Sequence, residues 1–331
     1  MSTNARPSSG PGLSGRDRAL TVLGAVISIA ALALIVAWAL QQGAPVLPSS
    51  AGRLGELAGA VGFYLGGCAV RAERWYELLR YNGAHPRRHD AYGLLAVANF
   101  GNNVLPARAG DALRVVLLAP RAQTDSRTVI GTIVAERVLD VVVLVGLFVV
   151  LAYGVLGGID IPAGGRLAST ALIIAGVTAV IGVLAFVLHR RGHLRPVLTF
   201  LAPMTEATRH LGGRRHGTEL LAWTLLVWGL EWTAWWLTAQ AAGLGLGMLE
   251  VGYLMGLAAT FALIPSGPGY VGTFDAAVVF GVRALGSTGA QALAYLLLLR
   301  FVVTAPITLI GLVVLVAGYG GIGRMRAVAR A

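Results

Sequence analysis

Arg108, Asp111 and Arg114 recur at three-residue intervals in the stretch NNVLPARAGDALR, and Glu136, Arg137 and Asp140 crowd little more than one helical turn of ERVLD. A guanidinium fork meets phosphate oxygens through two parallel hydrogen bonds, and a neighbouring carboxylate can hold, release or neutralise that fork. Arg74, Asp275 and Arg300 supply the same two group types elsewhere in the chain. The chemistry on offer is binding of an anionic phosphate group, with proton transfer by a carboxylate as a second option. A plainer role is internal: Glu136 and Asp140, four apart on one helical face, can simply neutralise the arginines of the preceding segment. Both roles stay open for the carboxylates, whereas Arg108, Arg114, Arg137 and Arg300 point more toward an anion.

These groups are embedded in a chain that reads as membrane. Of 331 residues, 56% are hydrophobic and only 12% charged, and the mean hydropathy of +0.74 lies well above that of soluble domains. All 26 basic residues are arginine, and the formal charge is +11. Anionic lipid is one explanation for that bias, and codon usage is another. The single cysteine, Cys68, excludes disulfides within the chain and cysteine-metal clusters. A charge at membrane depth costs at least about 2.5–3.5 kcal/mol and survives only against protein, water or a partner. The number of such residues here therefore predicts a hydrated polar cavity.

Crossing a hydrocarbon core of roughly 30 Å takes about 20 apolar residues. Six segments meet that length: 19–40, 54–75, 129–155, 168–188, 220–241 and 290–316. The first is too long for a secretory signal and is expected to be retained. Two further apolar stretches, 92–118 and 251–282, are interrupted, the first by LPARAG and the second by IPSGPGYVG. Each is expected to enter the membrane and turn back. Arginine-rich loops at 80–88 and 189–217, with basic tails at 1–18 and 319–331, place both termini in the cytoplasm. The fold class is therefore all-α: a polytopic integral membrane protein with about six full spans and two re-entrant hairpins of broken helix, forming one membrane domain over 19–318.

The two interruptions resemble each other. Pro106 and Gly110 break the first hairpin, and Arg137 follows in a long helix; Pro265 and Gly269 break the second, and Arg300 follows in a long helix. The segments 54–155 and 218–316 thus align as repeat halves of opposite orientation, an architecture that puts a substrate site near the midplane between the breaks. Proline removes a backbone donor, and Gly110, Gly267, Gly269 and Gly272 permit turns closed to other residues. The glycines of GLGLG, 243–247, are expected instead to let helices pack closely.

Several classes find no support. His85 and His89 have a metal-compatible spacing but fall in a basic loop with nothing to complete a site, so no metal and no cofactor is expected. No nucleotide-binding loop, nucleophile elbow or zinc-protease motif occurs. The tryptophans suit membrane interfaces better than base stacking, so nucleic acid is not an expected partner.

RAERW, LPARAGDALR, ERVLD and PSGPGYVGTFD, in this order and at roughly this spacing, resemble the membrane region of lysylphosphatidylglycerol synthase and a broad family of stand-alone membrane proteins that share it. The resemblance covers about residues 20–318. In the two-domain synthases the membrane part resembles a flippase that moves the aminoacylated lipid outward, while a separate soluble domain makes that lipid. This chain ends at Ala331 without such a domain, so aminoacyl transfer is not expected and an enzyme is the less favoured reading. The family's usual Glu near the end of the second break stands here as Asp275, a shorter carboxylate. The resemblance singles out Arg108, Asp111, Arg114, Glu136, Arg137 and Asp140.

The expected function is translocation of an anionic phospholipid, an aminoacylated lipid or a lipid-linked intermediate between the leaflets of the inner (plasma) membrane. One alternative is a membrane-embedded enzyme acting on a polyprenyl-phosphate or phospholipid head group, with Asp111 or Glu136 as base. The other is a non-catalytic partner of a separately encoded glycosyltransferase or lipid synthase. A homodimer is compatible with the sequence.

Overall fold

The computed structural model describes residues 30, 32–45, 47–105, 110–156, 214–261 and 268–319. The expected span at 168–188, most of the 189–217 loop, both basic tails and Pro106, Arg108, Pro265 and Gly267 lie outside the described residues, as does most of the first expected span.

Among the described residues every regular element is helical. They are α1 (Ala51–Tyr81), α2 (Arg88–Val104), α3 (Gly110–Leu118), α4 (Ser126–Leu156), α5 (Arg214–Ala241), α6 (Met248–Phe261), a 3-10 turn at Pro268–Tyr270, α7 (Thr273–Ala284) and α8 (Gly289–Gly318). At 1.5 Å per residue, α1, α4, α5 and α8 each run beyond about 40 Å, longer than a hydrocarbon core is thick. By hydropathy, α8 is the one described helix both long and apolar enough to cross a membrane, with a mean hydropathy of 2.4 in its best window. Helices α1 and α5 carry charged residues in mid-length, which lowers their hydropathy without shortening them, whereas in α4 the charges stop at Asp140 and residues 141–156 are uncharged and almost wholly apolar.

Local sequence explains the ends. Ser50 caps α1 by accepting the Arg53 N–H at 3.4 Å. Thr288 and Gln291 form a reciprocal capping box at the start of α8, with bonds of 2.9 and 3.3 Å. Helix α2 stops where Leu105 turns extended, at φ −90° and ψ 146°, because a residue before proline is pushed out of helical geometry. At the second break Gly269 (φ 61°) and Gly272 (φ 95°) occupy conformations that favour glycine, and Tyr270 (φ 55°) sits between them.

Two glycine expectations need correction. Gly110 has no positive φ; a Cβ there would clash with the Ala98 carbonyl oxygen, so its role is to let α2 and α3 touch. The GLGLG stretch, conversely, is a turn rather than a packing surface, since Gly243 and Gly245 have φ of 71° and 64°.

The helices are laced together across the two halves. Each broken hairpin folds on itself, α2 against α3 and α6 against α7. Helix α1 packs along α5, α2 packs along α8 and α6 packs along α4. A first hairpin thus leans on the long helix of the second half, and the second hairpin on the long helix of the first. Trp75, Leu79, Leu94 and Leu118 fill one of the two largest apolar clusters, and Trp235, Leu254, Val278 and Tyr295 fill the other.

Candidate functional site

Between the hairpins lies a cavity of about 340 Å³, within the size range of small-molecule sites. Its polar wall comes from Asn99, Asn102 and Asn103 of α2, Asp111 and Arg114 of α3, and Glu136, Arg137 and Asp140 of α4. Arg71 on α1 and Glu231 on α5 close that side, and Arg300 on α8 sits opposite. Trp228, Trp235, Met255 and Phe274 make an apolar wall.

The charged groups divide into layers. The inner layer is sealed: Arg74, Arg114, Glu136 and Asp140 have side chains at most 7% exposed. Arg74 Nη1 donates to Asp140 Oδ1 at 2.7 Å and to Thr224 Oγ1 at 2.9 Å, and its Nη2 lies 3.3 Å from Glu136 Oε1. Arg114 Nη2 donates to Glu136 Oε2 at 2.9 Å, and its guanidinium stacks on Trp75, 3.9 Å from the ring centroid. The Trp75 indole N–H donates to Thr132 Oγ1 at 3.1 Å, which fixes the ring. Burying so many ions is tolerable only because each finds an opposite charge at hydrogen-bond distance.

The outer layer faces the cavity. Arg137, 45% exposed, reaches Asp111 at 3.3 Å, and Asp111 is 28% exposed. Arg71 Nη2 donates to Glu231 Oε2 at 3.0 Å, tying α1 to α5 across the wall. Buried Arg71 Nε has no hydrogen-bond partner, and the same is true of Arg74 Nε and Arg114 Nε in the sealed layer. Among the named groups, Arg71, Arg74, Arg114, Arg137 and Arg300 balance Asp111, Glu136, Asp140, Glu231 and Asp275 one for one. Arg108, in the connection between α2 and α3, lies outside the described residues.

Arg300 acts on the second break. Its Nε donates to Asp275 Oδ1 at 2.5 Å, its Nη1 to the Gly269 carbonyl at 2.6 Å and its Nη2 to the Tyr270 carbonyl at 3.3 Å. Asp275 Oδ2 in turn accepts the Gly272 N–H at 2.8 Å and so caps α7. The left-handed turn is therefore pinned from both sides. At the first break the pin is an amide: Asn102 Oδ1 accepts the Gly110 N–H at 3.0 Å, and Asn103 donates to Thr308 Oγ1 of α8 at 2.8 Å.

Of the charged residues in the sequence-derived set, Asp111, Arg114, Glu136, Arg137, Asp140 and Arg300 line this cavity; Asp275 meets it through Arg300, and Arg74 reaches it through Glu136 and Asp140. Sequence reasoning left out Arg71, Glu231 and the three asparagines as site residues. Arg71 lies one helical turn from Arg74, a spacing that puts both on one face. Among the described residues, no group of three or more His, Cys, Asp or Glu side chains is arranged to hold a metal ion.

Comparison with known proteins adds two findings. A family model described as lysylphosphatidylglycerol synthase TM region matches residues 21–311. The chain is also similar to glycosyltransferase AglD of Haloferax volcanii, at 28% identity over 77% of this chain and 47% of that protein. The chain thus spans about half the length of the curated relative it matches.

Proposed function

The chain belongs to the lysylphosphatidylglycerol synthase TM region family, and we propose that it moves an anionic lipid or lipid-linked intermediate between leaflets through the cavity between its two broken hairpins. The family places it among membrane proteins of lipid or glycan metabolism. The observation that carries the finer reading is the layered charge: a sealed ionic cluster of Arg74, Arg114, Glu136 and Asp140, and beside it a rim pair, Arg137 with Asp111, whose side chains are 45% and 28% exposed.

The inner cluster is the scaffold. With Glu136 shared between Arg74 and Arg114, the first hairpin and α4 are locked in register. A phosphate entering the cavity meets Arg137 first; its oxygens compete with Asp111 for that guanidinium. Arg71 offers its free Nε from the neighbouring wall, and Arg108 is proposed as a further donor from the α2–α3 connection. Arg300 supports the second break, so its pull on the Gly269 and Tyr270 carbonyls shapes the far side of the cavity. The apolar wall of Trp228, Trp235 and Phe274 keeps water to the polar side, which strengthens each ionic contact.

The reciprocal packing of α2 on α8 and α6 on α4 supports reading residues 54–155 and 218–316 as inverted repeats. The Arg71–Glu231 pair strengthens this, because its partners stand 160 residues apart, close to the intervals from Pro106 to Pro265, Gly110 to Gly269 and Arg137 to Arg300. We place six full spans in the inner (plasma) membrane with both termini cytoplasmic.

Reconstitution into liposomes carrying fluorescent phosphatidylglycerol tests the function. The expected result is leaflet exchange that Arg137→Ala abolishes. An unmodified protein that gives no exchange above empty liposomes, with this lipid or with a polyprenyl-phosphate-linked sugar, overturns it. A second reading, action beside a glycosyltransferase on a lipid-linked sugar, is favoured by the name of the relative; faster exchange of the polyprenyl substrate than of phosphatidylglycerol would select it.

A further inference from the structure

The central cavity holds more than its charges. Asn99, Asn102 and Asn103 of α2 stand three and four positions apart, on one helical face, and line it; Thr304 of α8 joins them. Each amide is held by one bond and leaves its other half uncommitted among the described residues. Asn99 Nδ2 donates to the Leu95 carbonyl at 3.0 Å and Asn103 Nδ2 to Thr308 Oγ1 at 2.8 Å, so both keep a carbonyl oxygen as acceptor. Asn102 spends its oxygen on the Gly110 N–H at 3.0 Å and keeps its NH2 as donor. The Thr304 hydroxyl makes no hydrogen bond among the described residues and can both give and accept.

A fixed set that mixes donors and acceptors selects the chemistry of its ligand. Phosphate oxygens only accept and an ammonium only donates, so each would leave part of this set unmatched and desolvated. Hydroxyl groups do both. An ammonium is disfavoured a second time, because the carboxylates lining the cavity are already claimed. Arg74 and Arg114 hold Glu136, Arg74 holds Asp140, and Arg71 holds Glu231. Asp111 lies between Arg137 and, 3.6 Å away, Arg114. A phosphate that takes Arg137 therefore still leaves Asp111 beside a cation.

Two aromatic rings add apolar surface to the same space. Trp228 and Phe274 are only partly buried and both line the cavity. The Trp228 indole N–H donates to Asp140 Oδ1 at 3.3 Å, and Phe274 packs edge-on against Trp235 with ring centroids 5.7 Å apart, so each ring is held in place. A sugar ring carries hydroxyls around its edge and C–H groups on its faces, and the cavity offers neutral hydrogen-bonding groups and aromatic surface together.

Resting on the reading of this cavity as a lipid head-group site, we infer that the head group is an uncharged sugar ring joined through a phosphodiester, with its phosphate at Arg137 and its hydroxyls at Asn99, Asn102, Asn103 and Thr304. An aminoacylated lipid is thereby set aside. The diester belongs either to a polyprenyl carrier or to a phospholipid; the ring chemistry is shared by both.

Binding to the detergent-purified full chain, followed by native mass spectrometry, tests this. Citronellyl phosphoglucose is compared with methyl citronellyl phosphate, which keeps the tail and diester without the ring. Dioctanoyl phosphatidylinositol is compared in the same way with dioctanoyl phosphatidylmethanol, and dioctanoyl lysylphosphatidylglycerol supplies the ammonium. At least one ring-bearing probe should bind about tenfold more tightly than its ringless counterpart, and the tighter of the two identifies the carrier. That preference should vanish in the double variant Asn99→Leu with Thr304→Val, with ringless affinities and melting temperature unchanged. Thr304→Val alone, which breaks no bond among the described residues, should lose part of it. Equal affinities with and without the ring, a preference that survives the double variant, or tightest binding of lysylphosphatidylglycerol overturns the inference. Because binding is read without leaflet exchange, a ring preference in a protein that moves no lipid overturns the translocation reading alone, and exchange without a ring preference overturns the sugar alone.

Discussion

Glu136 and Arg137 are consecutive residues on one helix, yet they belong to opposite regimes. Glu136 lies inside a sealed cluster where Arg74 and Arg114 both claim it; Arg137 is nearly half exposed and leans on Asp111 at the rim of a cavity. The residue types are those of any salt bridge, and the distances differ by only a few tenths of an ångström. Accessibility separates them: a buried ion pair fixes architecture because neither partner can be left alone, while a rim pair can exchange its partner for a ligand.

Stability and transport measurements on the same variants can break this distinction. The largest effect is expected from Glu136→Ala, which strands two buried guanidinium groups. A loss of about 3–5 kcal/mol is expected, seen as a collapse of monodisperse protein on size-exclusion chromatography. The double variant Glu136→Gln with Arg114→Met should recover part of that loss, since Arg74 then retains Asp140. Equal melting temperatures for Glu136→Ala and the parent would show that the cluster is wetter than its burial indicates.

Gly110→Val comes next, at about 3 kcal/mol, because the new side chain must displace the Ala98 carbonyl. Thermal melts in detergent measure it, and Gly110→Ala should give a smaller shift of the same sign. Arg300→Lys is expected to cost about 1.5–3 kcal/mol, since one ammonium cannot serve Asp275 and two carbonyls together. Its exchange rate in liposomes should fall with its stability. The smallest stability change, within about 0.5 kcal/mol, belongs to Arg137→Ala. That same variant should lose leaflet exchange. A stable, active Arg137→Ala protein would erase the contrast between rim and cluster.

Much of the fold was legible because its punctuation is chemical. Pro106 and the glycines after Pro265 announce two interruptions, and the described helices on either side begin and end within a few residues of the expected stretches, apart from α1, which runs on to Tyr81, and α5, which starts earlier at Arg214. Arg137 and Arg300 were legible as cavity groups because charged residues in long apolar helices must face protein or water. The assignment of Arg74 and Arg114 was less legible. Sequence shows that an arginine is present at depth, but whether a carboxylate from a distant helix has already claimed it depends on packing, here of α1 and α3 onto α4. The roles of Gly110 and of GLGLG were exchanged for a similar reason: a glycine serves a turn or a close contact, and the choice rests on what lies opposite. Arg71 and Glu231 were legible as charges at membrane depth but not as members of the site, because their pairing joins helices far apart in sequence.

The cross-laced packing of the hairpins bears on how such a protein can be built and moved. Each hairpin is walled by both stretches: α2 packs on α1 of its own stretch and on α8 of the other, and α6 packs on α5 of its own stretch and on α4 of the other. Expressed alone, each fragment would present a bare interface to the bilayer and be cleared, whereas the pair made together in one cell should reassemble. Any rocking of one hairpin must likewise drag the opposite long helix with it, so in the proposed translocation opening toward one leaflet and closing toward the other would be a single displacement.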